Sequence, residues 1–250
     1  MATFIIADLH LSESKPILTN ALSNFYERNT ILNDKVIIAG DMFDFFVGLD
    51  KNSSFHQRIR QIITHAKQRG VITLFQPGNR DFLLSKSDAQ YFGMRLIADF
   101  YVITTTKGQA LIMHGDQLCK HDRSYQTFRT FVRTLSSITI IHWLFMHLPF
   151  SIRMAIGNKI RSKSMEKDDP RLSIKALENP IVKKAGAGLL REARCQLLIH
   201  GHFHIFGAEQ NAFGNNLNRL GLGIWDSHYS YVRIDRNEFK LVQRAMEKNF

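Results

Sequence analysis

The sequence predicts an α/β layered fold, and three observations carry that expectation. Short apolar runs recur at residues 3–6, 36–39, 71–75, 110–113 and 196–199, bounded by Gly, Pro or Asp. Runs of this length read as buried strands. Amphipathic stretches at 16–27 and 55–69 are long enough for helices, and strands alternating with helices build layered sheets. Every run also ends in side chains able to bind metal, where open α/β sheets gather their ligands beyond the carboxyl ends of strands.

The elements justify this in order. The first run leads into Ala7-Asp8-Leu9-His10. Asp8 and His10 are two apart, so on an extended strand end they point the same way and suit one ion. The second run leads into Gly40-Asp41-Met42-Phe43-Asp44, and the Asp41 carboxylate can bridge two ions. The third leads into Pro77-Gly78-Asn79-Arg80-Asp81, where Asn79 offers a neutral amide oxygen. The fourth supplies His114. The fifth supplies His200-Gly201-His202-Phe203-His204, with His202 and His204 again two apart. Stretches 219–225 and 229–234 read as further strands closing a second sheet.

Each motif alone has a plainer reading. Asp-x-His arises by chance, Gly-Asp-x-x-Asp can cap a helix, and Gly-Asn-x-Asp can be a turn. Five of them in one order, each behind an expected strand, point to a metal centre. The mixed Asp, Asn and His set suits Mn²⁺, Fe²⁺ or Zn²⁺ more than Mg²⁺ or Ca²⁺. Two such ions about 3.5–4 Å apart can activate a bridging water and clamp a phosphoryl oxygen.

Residues 121–191 break the rhythm and read as a helical insertion, or lid, within a single domain spanning 1–250. Aromatics at Tyr125, Phe128 and Phe131 precede a dense apolar run from 138 to 150 that includes Trp143 and Phe145. Arg153, Lys159, Arg161 and Lys163 follow with no acid among them. The apolar run is too short to span a bilayer. With its basic flank it can lie on an anionic membrane surface or line a pocket for acyl chains; packing on the core is the plainer alternative.

Composition bounds the rest. Hydrophobic residues at 44% and charged residues at 22% exclude a disordered chain. An excess of 33 Lys and Arg over 22 Asp and Glu gives +11 and implies an anionic partner: nucleic acid, acidic membrane or phosphorylated substrate. Two cysteines, Cys119 and Cys195, make no disulfide framework and fit a reducing compartment. No basic-then-apolar leader and no run near ~20 apolar residues is present, so the cytoplasm is expected.

Asp8-x-His10, Gly40-Asp41-x-x-Asp44, Gly78-Asn79-x-Asp81, His114 and Gly201-His202-x-His204 resemble the five blocks of the calcineurin-like metallophosphoesterase superfamily. That resemblance implies a two-sheet β-sandwich flanked by helices. It assigns Asp8, His10, Asp41 and His204 to one ion, and Asp41, Asn79, His114 and His202 to the other. Many members carry a histidine after the third-block Asn, able to protonate a leaving alkoxide. Arg80 stands there instead. It cannot act as a general acid at neutral pH but can bind phosphate bidentately, which fits an acidic leaving group such as phosphate. A surface pair with Asp81 is the plainer role open to it.

The longer stretches Ile6-Ala7-Asp8-Leu9-His10-Leu11, Gly78-Asn79-Arg80-Asp81-Phe82-Leu83-Leu84, Met113-His114-Gly115-Asp116-x-Leu118-Cys119, Tyr125-Gln126-x-Phe128-Arg129 and Leu222-Gly223-Ile224-Trp225 are similar to the UDP-2,3-diacylglucosamine pyrophosphatases of lipid A biosynthesis. The similarity implies hydrolysis of UDP-2,3-diacylglucosamine to lipid X and UMP by a hydroxide activated by two metals, with Mn²⁺ expected. It implies substrate contacts at Asn79, Arg80, Asp122, Ser164 and His202, with Asp168 and Arg171 falling nearby. With the apolar run and its basic flank, peripheral attachment to the cytoplasmic face of the inner membrane is expected, and neither nucleic acid nor a protein partner is predicted. The chain departs from that family at Asp44, where Glu is frequent, and in lacking a tryptophan around Phe46. The alternatives are a metal-dependent nuclease or another phosphodiesterase of the superfamily.

Overall fold

The computed structural model describes residues 1–119, 148–150, 152–155 and 170–246. The strands are β1 (Thr3–Ile6), β2 (Lys35–Ala39), β3 (Ile72–Gln76), β4 (Arg95–Leu96), β5 (Tyr101–Thr105), β6 (Gly108–Met113), β7 (Leu197–His200), β8 (Phe206–Glu209), β9 (Asn218–Leu222), β10 (His228–Ile234) and β11 (Phe239–Ala245). The helices are α1 (Pro16–Asn29), α2 (Ser54–Gln68), α3 (Lys86–Tyr91), α4 (Pro170–Glu178) and α5 (Pro180–Glu192). One sheet has the order β11-β10-β1-β2-β3-β4 and the other β5-β6-β7-β9-β8. This is the two-sheet, helix-flanked α/β architecture that the motifs implied.

Strand alternation explains the layering. Phe4 and Ile6 of β1 face outward with Val36, Ile38 and Phe75, and pack on Leu22 and Phe25 of α1 and Ile59 and Ile63 of α2. Ile5, Ile37 and Leu74 face inward, with Ala7 and Ala39, and meet Ala110, Ile112, Ile199 and Leu220 of the second sheet. A strand buried on both faces reads as an unbroken apolar run, as these do. On the far side Leu111, Met113 and Leu198 pack on Leu177 of α4 and on Val182 and Leu190 of α5. The last helix of the expected insertion is thus built onto the second sheet. Truncating a fully buried ring such as Phe25 to Ala should cost roughly 3–5 kcal/mol.

One expectation is corrected. Residues 229–234 do not extend the second sheet; β10 runs antiparallel to β1 in the first, pairing Thr3 with Ile234. Trp225 is no strand residue either. It sits at the crossing between the sheets, where its N–H bonds Asp8 O at 3.0 Å and its indole Nε1 bonds Ser230 O at 3.1 Å. A large ring buried at that corner turns the chain from β9 back to β10.

Of the basic cluster, Arg153 faces inward: it is 7% exposed and donates to Val47 O at 2.7 Å and Leu148 O at 3.2 Å. Lys159, Arg161 and Lys163 lie outside the described residues, as do Asp122, Trp143, Phe145, Ser164 and Asp168. Among the described residues no helix is long and apolar enough to cross a membrane.

Candidate metal centre

Five loops build the site, those after β1, β2 and β3 of one sheet and those after β6 and β7 of the other. The loops after β1 and β2 are stitched by Asp8 N to Gly40 O (3.2 Å), His10 N to Asp41 O (3.1 Å) and Leu11 N to Met42 O (2.9 Å). Those after β6 and β7 are joined by Gly201 N to His114 O (2.8 Å). The sheets meet where His202 N donates to the buried Asp8 carboxylate, at 2.9 Å from Oδ2 and 3.1 Å from Oδ1. Asp81 fixes the second-block loop: it accepts Gly78 N and Met42 N, each at 2.7 Å, and Asp41 N at 3.3 Å.

The backbone here is strained. Asp8, His10, Asp41, His202 and His204 all have positive φ, between 46° and 66°. The left-handed region costs an L-residue roughly 1–2 kcal/mol, and such strain collects where function requires a particular presentation. The expectation that Asp8 and His10 share a direction through strand alternation is therefore right in outcome and wrong in cause. β1 ends at Ile6 and β7 at His200, so these ligands stand on turns. Gly78 and Gly201 have a physical reason to lack a side chain: a Cβ at either would collide with the carboxylate of Asp41 or Asp8 respectively.

Of the seven expected ligand residues Asp8, His10, Asp41 and His114 are buried and Asn79, His202 and His204 partly buried, and they fall into two sets. In the first, His10 Nε2 and His204 Nε2 are 3.2 Å apart and lie 3.8 and 3.6 Å from Asp8 Oδ1. A triangle with those sides has its centre about 2 Å from each corner, which matches divalent-ion bonds to imidazole and carboxylate. In the second, Asn79 Oδ1 lies 2.9 Å from both His114 Nε2 and His202 Nδ1. Asp41 Oδ1 is 3.5 Å from His114 Nε2, and Asp8, Asp41 and His114 form a further group able to hold an ion. The donor set fits divalent cations: imidazole nitrogens, carboxylates and one amide oxygen converge.

Charge supports this. Burial, with Arg80 nearby, lowers His10 to about 3, and burial with His114 nearby lowers His202 to about 4, so both rings are neutral and have a lone pair to give. Burial also pushes His114 down, but the Asp41, Asp8 and Asp116 carboxylates outweigh it and raise the ring to about 10. His114 Nδ1 faces Ala39 O at 3.1 Å, which fixes Nε2 toward the centre. His200 stays out of the centre: it is fully buried with Nδ1 on Gly201 O at 2.8 Å.

Arg80 is 7% exposed and does not pair with Asp81. Its Nη1 donates to Asp44 Oδ1 at 3.1 Å, its Nε lies 3.5 Å from Asp41 Oδ2, and its own N–H donates to Asp41 Oδ1 at 2.9 Å. The plainer surface-pair reading fails because Asp81 is occupied by the backbone. Asp44, which the sequence left without a role, anchors the guanidinium and lies 3.9 Å from His10 Nδ1. The Asp41-x-x-Asp44 spacing beside Arg80 was the only signal for it. Arg171 is exposed in the first turn of α4.

Residues 1–206 match the calcineurin-like phosphoesterase family. The chain is 35% identical over 240 residues to the UDP-2,3-diacylglucosamine hydrolase of Histophilus somni (strain 129Pt), covering 96% of this chain and 99% of that one. It is 33% identical over 248 residues to the same-named protein of Tolumonas auensis, with 98% of each covered. Against that of Haemophilus influenzae (strain KW20) it is 34% identical over 244 residues, with 96% and 98% covered. The chain therefore belongs to the calcineurin-like phosphoesterases, which are metal-dependent hydrolases, and within them to the UDP-2,3-diacylglucosamine hydrolases.

Proposed function

We propose that this protein hydrolyses the pyrophosphate of UDP-2,3-diacylglucosamine, releasing 2,3-diacylglucosamine 1-phosphate (lipid X) and UMP for lipid A biosynthesis. The observation that carries the reading is a buried arginine, Arg80, held by Asp41 and Asp44 at the rim of a converging Asp–His–Asn cluster, in a chain alike over nearly its whole length to hydrolases of that name. Asp8, His10 and His204 would hold one divalent ion and Asn79, His114 and His202 the other. Asp41 lies between them, its charge acting on His10 on one side and His114 on the other. Mn²⁺ is the proposed metal, on the softness of the donor set.

When bound, a pair of such ions makes water acidic at neutral pH and draws charge from phosphoryl oxygens. The chain's own part is to bind and orient. The guanidinium of Arg80 presents N–H donors to a phosphate oxygen and supplies no proton, so the leaving group must depart as an already acidic phosphate. The Asp44 and Asp41 carboxylates hold that fork in place, and charge-assisted donors aimed where negative charge develops favour the transition state. Asn79 and His202 are proposed as further substrate contacts. Asp122, Ser164, Asp168 and Arg171 are proposed to reach the rest of the substrate, and the excess of basic charge favours an anionic membrane surface on the cytoplasmic side of the inner membrane.

The test is Mn²⁺-supported turnover of UDP-2,3-diacylglucosamine beside bis(p-nitrophenyl) phosphate and single-stranded DNA. Preference for the first by several decades in kcat/KM is expected. Faster cleavage of DNA with a steep salt dependence would replace this reading with a nuclease.

A further inference from the structure

The half-buried Cys119 follows the 3-10 turn Asp116–Leu118 that leaves β6, and its N–H bonds Asp116 O at 3.2 Å. Its Sγ lies 3.5 Å from His202 Nε2, while the other ring nitrogen of His202, Nδ1, is 2.9 Å from Asn79 Oδ1. The ring thus has an inner nitrogen facing the centre and an outer one facing sulfur. His114 is arranged in the same way with the nitrogens exchanged: Nε2 faces Asn79 Oδ1 at 2.9 Å, and Nδ1 faces Ala39 O at 3.1 Å.

A neutral imidazole that gives one nitrogen's lone pair to an ion carries its proton on the other nitrogen, and that N–H needs an acceptor. For His114 the acceptor is a backbone carbonyl. We propose that for His202 it is the sulfur of Cys119, which makes Cys119 a positioning residue for the second ion. The inference rests on the reading of His202 as a ligand. The His202 ring meets Phe203 at 5.1 Å and His114 at 5.2 Å, edge to face with each. A hydrogen bond to the outer nitrogen restrains the ring and selects the tautomer that leaves Nδ1 bare.

Loss of an outer-shell partner lowers metal affinity by roughly 10–100-fold, and sulfur is a weak acceptor, so the lower end applies. The experiment titrates chelator-stripped full-length protein with Mn²⁺ and follows free Mn²⁺ by electron paramagnetic resonance, resolving two sites. Cys119→Val should weaken one site by roughly 10-fold and leave the other unchanged. Cys119→Ser, whose hydroxyl also accepts, should bind within about threefold of the original protein. Cys119→Ala replaces the valine variant if that one does not fold. Unchanged affinities in the apolar variant, equal weakening of both sites, or no recovery with serine would each overturn the proposal. Failure of the unmodified protein to bind two ions would instead overturn the two-ion reading beneath it.

Discussion

The two halves of the centre hold their side chains by different means. Asp8, His10 and His204 all stand on left-handed backbone, and their donor atoms converge directly, with the two imidazoles edge to face at 5.1 Å. Asn79 and His114 have no such strain, and the histidines of their half are steadied from behind by Ala39 O and Cys119 Sγ. Among the described residues His10 has no equivalent: its Nδ1 lacks a hydrogen bond, with Asp44 at 3.9 Å. Both halves use left-handed backbone, His202 included, and the second adds hydrogen bonds behind its histidines. The second should therefore be the more sensitive to loss of a neighbouring side chain.

The largest effect should come from the seam. Asp41→Ala removes the carboxylate between the halves, and we expect loss of both ions and turnover below a thousandth of the original, about 4 kcal/mol at the conversion of 1.36 kcal/mol per decade. Metal content by mass spectrometry and turnover check it together; survival of both would dissolve the distinction, since no shared carboxylate would then join the halves. Next comes Arg80→Ala. A charge-assisted hydrogen bond is worth roughly 1.5–3 kcal/mol, so kcat/KM on the pyrophosphate should fall by about one to two decades, with Lys recovering part and metal content steady. A fall of less than about twofold would reduce Arg80 to a partner of Asp41 and Asp44.

Single-ligand changes should then separate the halves. His204→Ala should weaken one of two Mn²⁺ sites and Asn79→Ala the other, read from two-site isotherms; if both variants weaken the same site, the division is drawn in the wrong place. The smallest effect is a proton count. His10 and His202 are neutral before any ion arrives, whereas the carboxylates around His114 hold its proton up to about pH 10. Loading at pH 8 should release about one proton, from the second half only, because a ligand must shed its proton to bind. Affinity of that site should rise with pH while the first stays flat. Calorimetry in buffers of differing ionisation enthalpy measures the release, and none at all would mean His114 is already neutral.

The centre was legible in the sequence to the extent that strand ends are. An apolar run closing on Asp, Asn or His predicts where a side chain emerges, and Asp8, Asp41, Asn79, His114, His202 and His204 did emerge together. The local conformation was not legible, because a two-residue spacing is compatible with strand or turn and only the stitched loops select the left-handed turn at His10 and His204. Arg80 was read as a phosphate ligand with a surface pair to Asp81 as the plainer alternative, and that alternative fails because the Asp81 oxygens are taken by backbone N–H groups of Met42 and Gly78. The sheet assignment of β10 failed for a similar reason. Alternation in 229–234 marks a strand, and the buried corner at Trp225 decides which sheet receives it.

The most direct test of the account is a titration of chelator-stripped protein with Mn²⁺ while UMP release from UDP-2,3-diacylglucosamine is followed. The account predicts negligible turnover without metal, a rise that saturates at two equivalents of Mn²⁺, and lipid X formed in equal amount to UMP. Full turnover in the stripped protein, or saturation at a single equivalent, would contradict it.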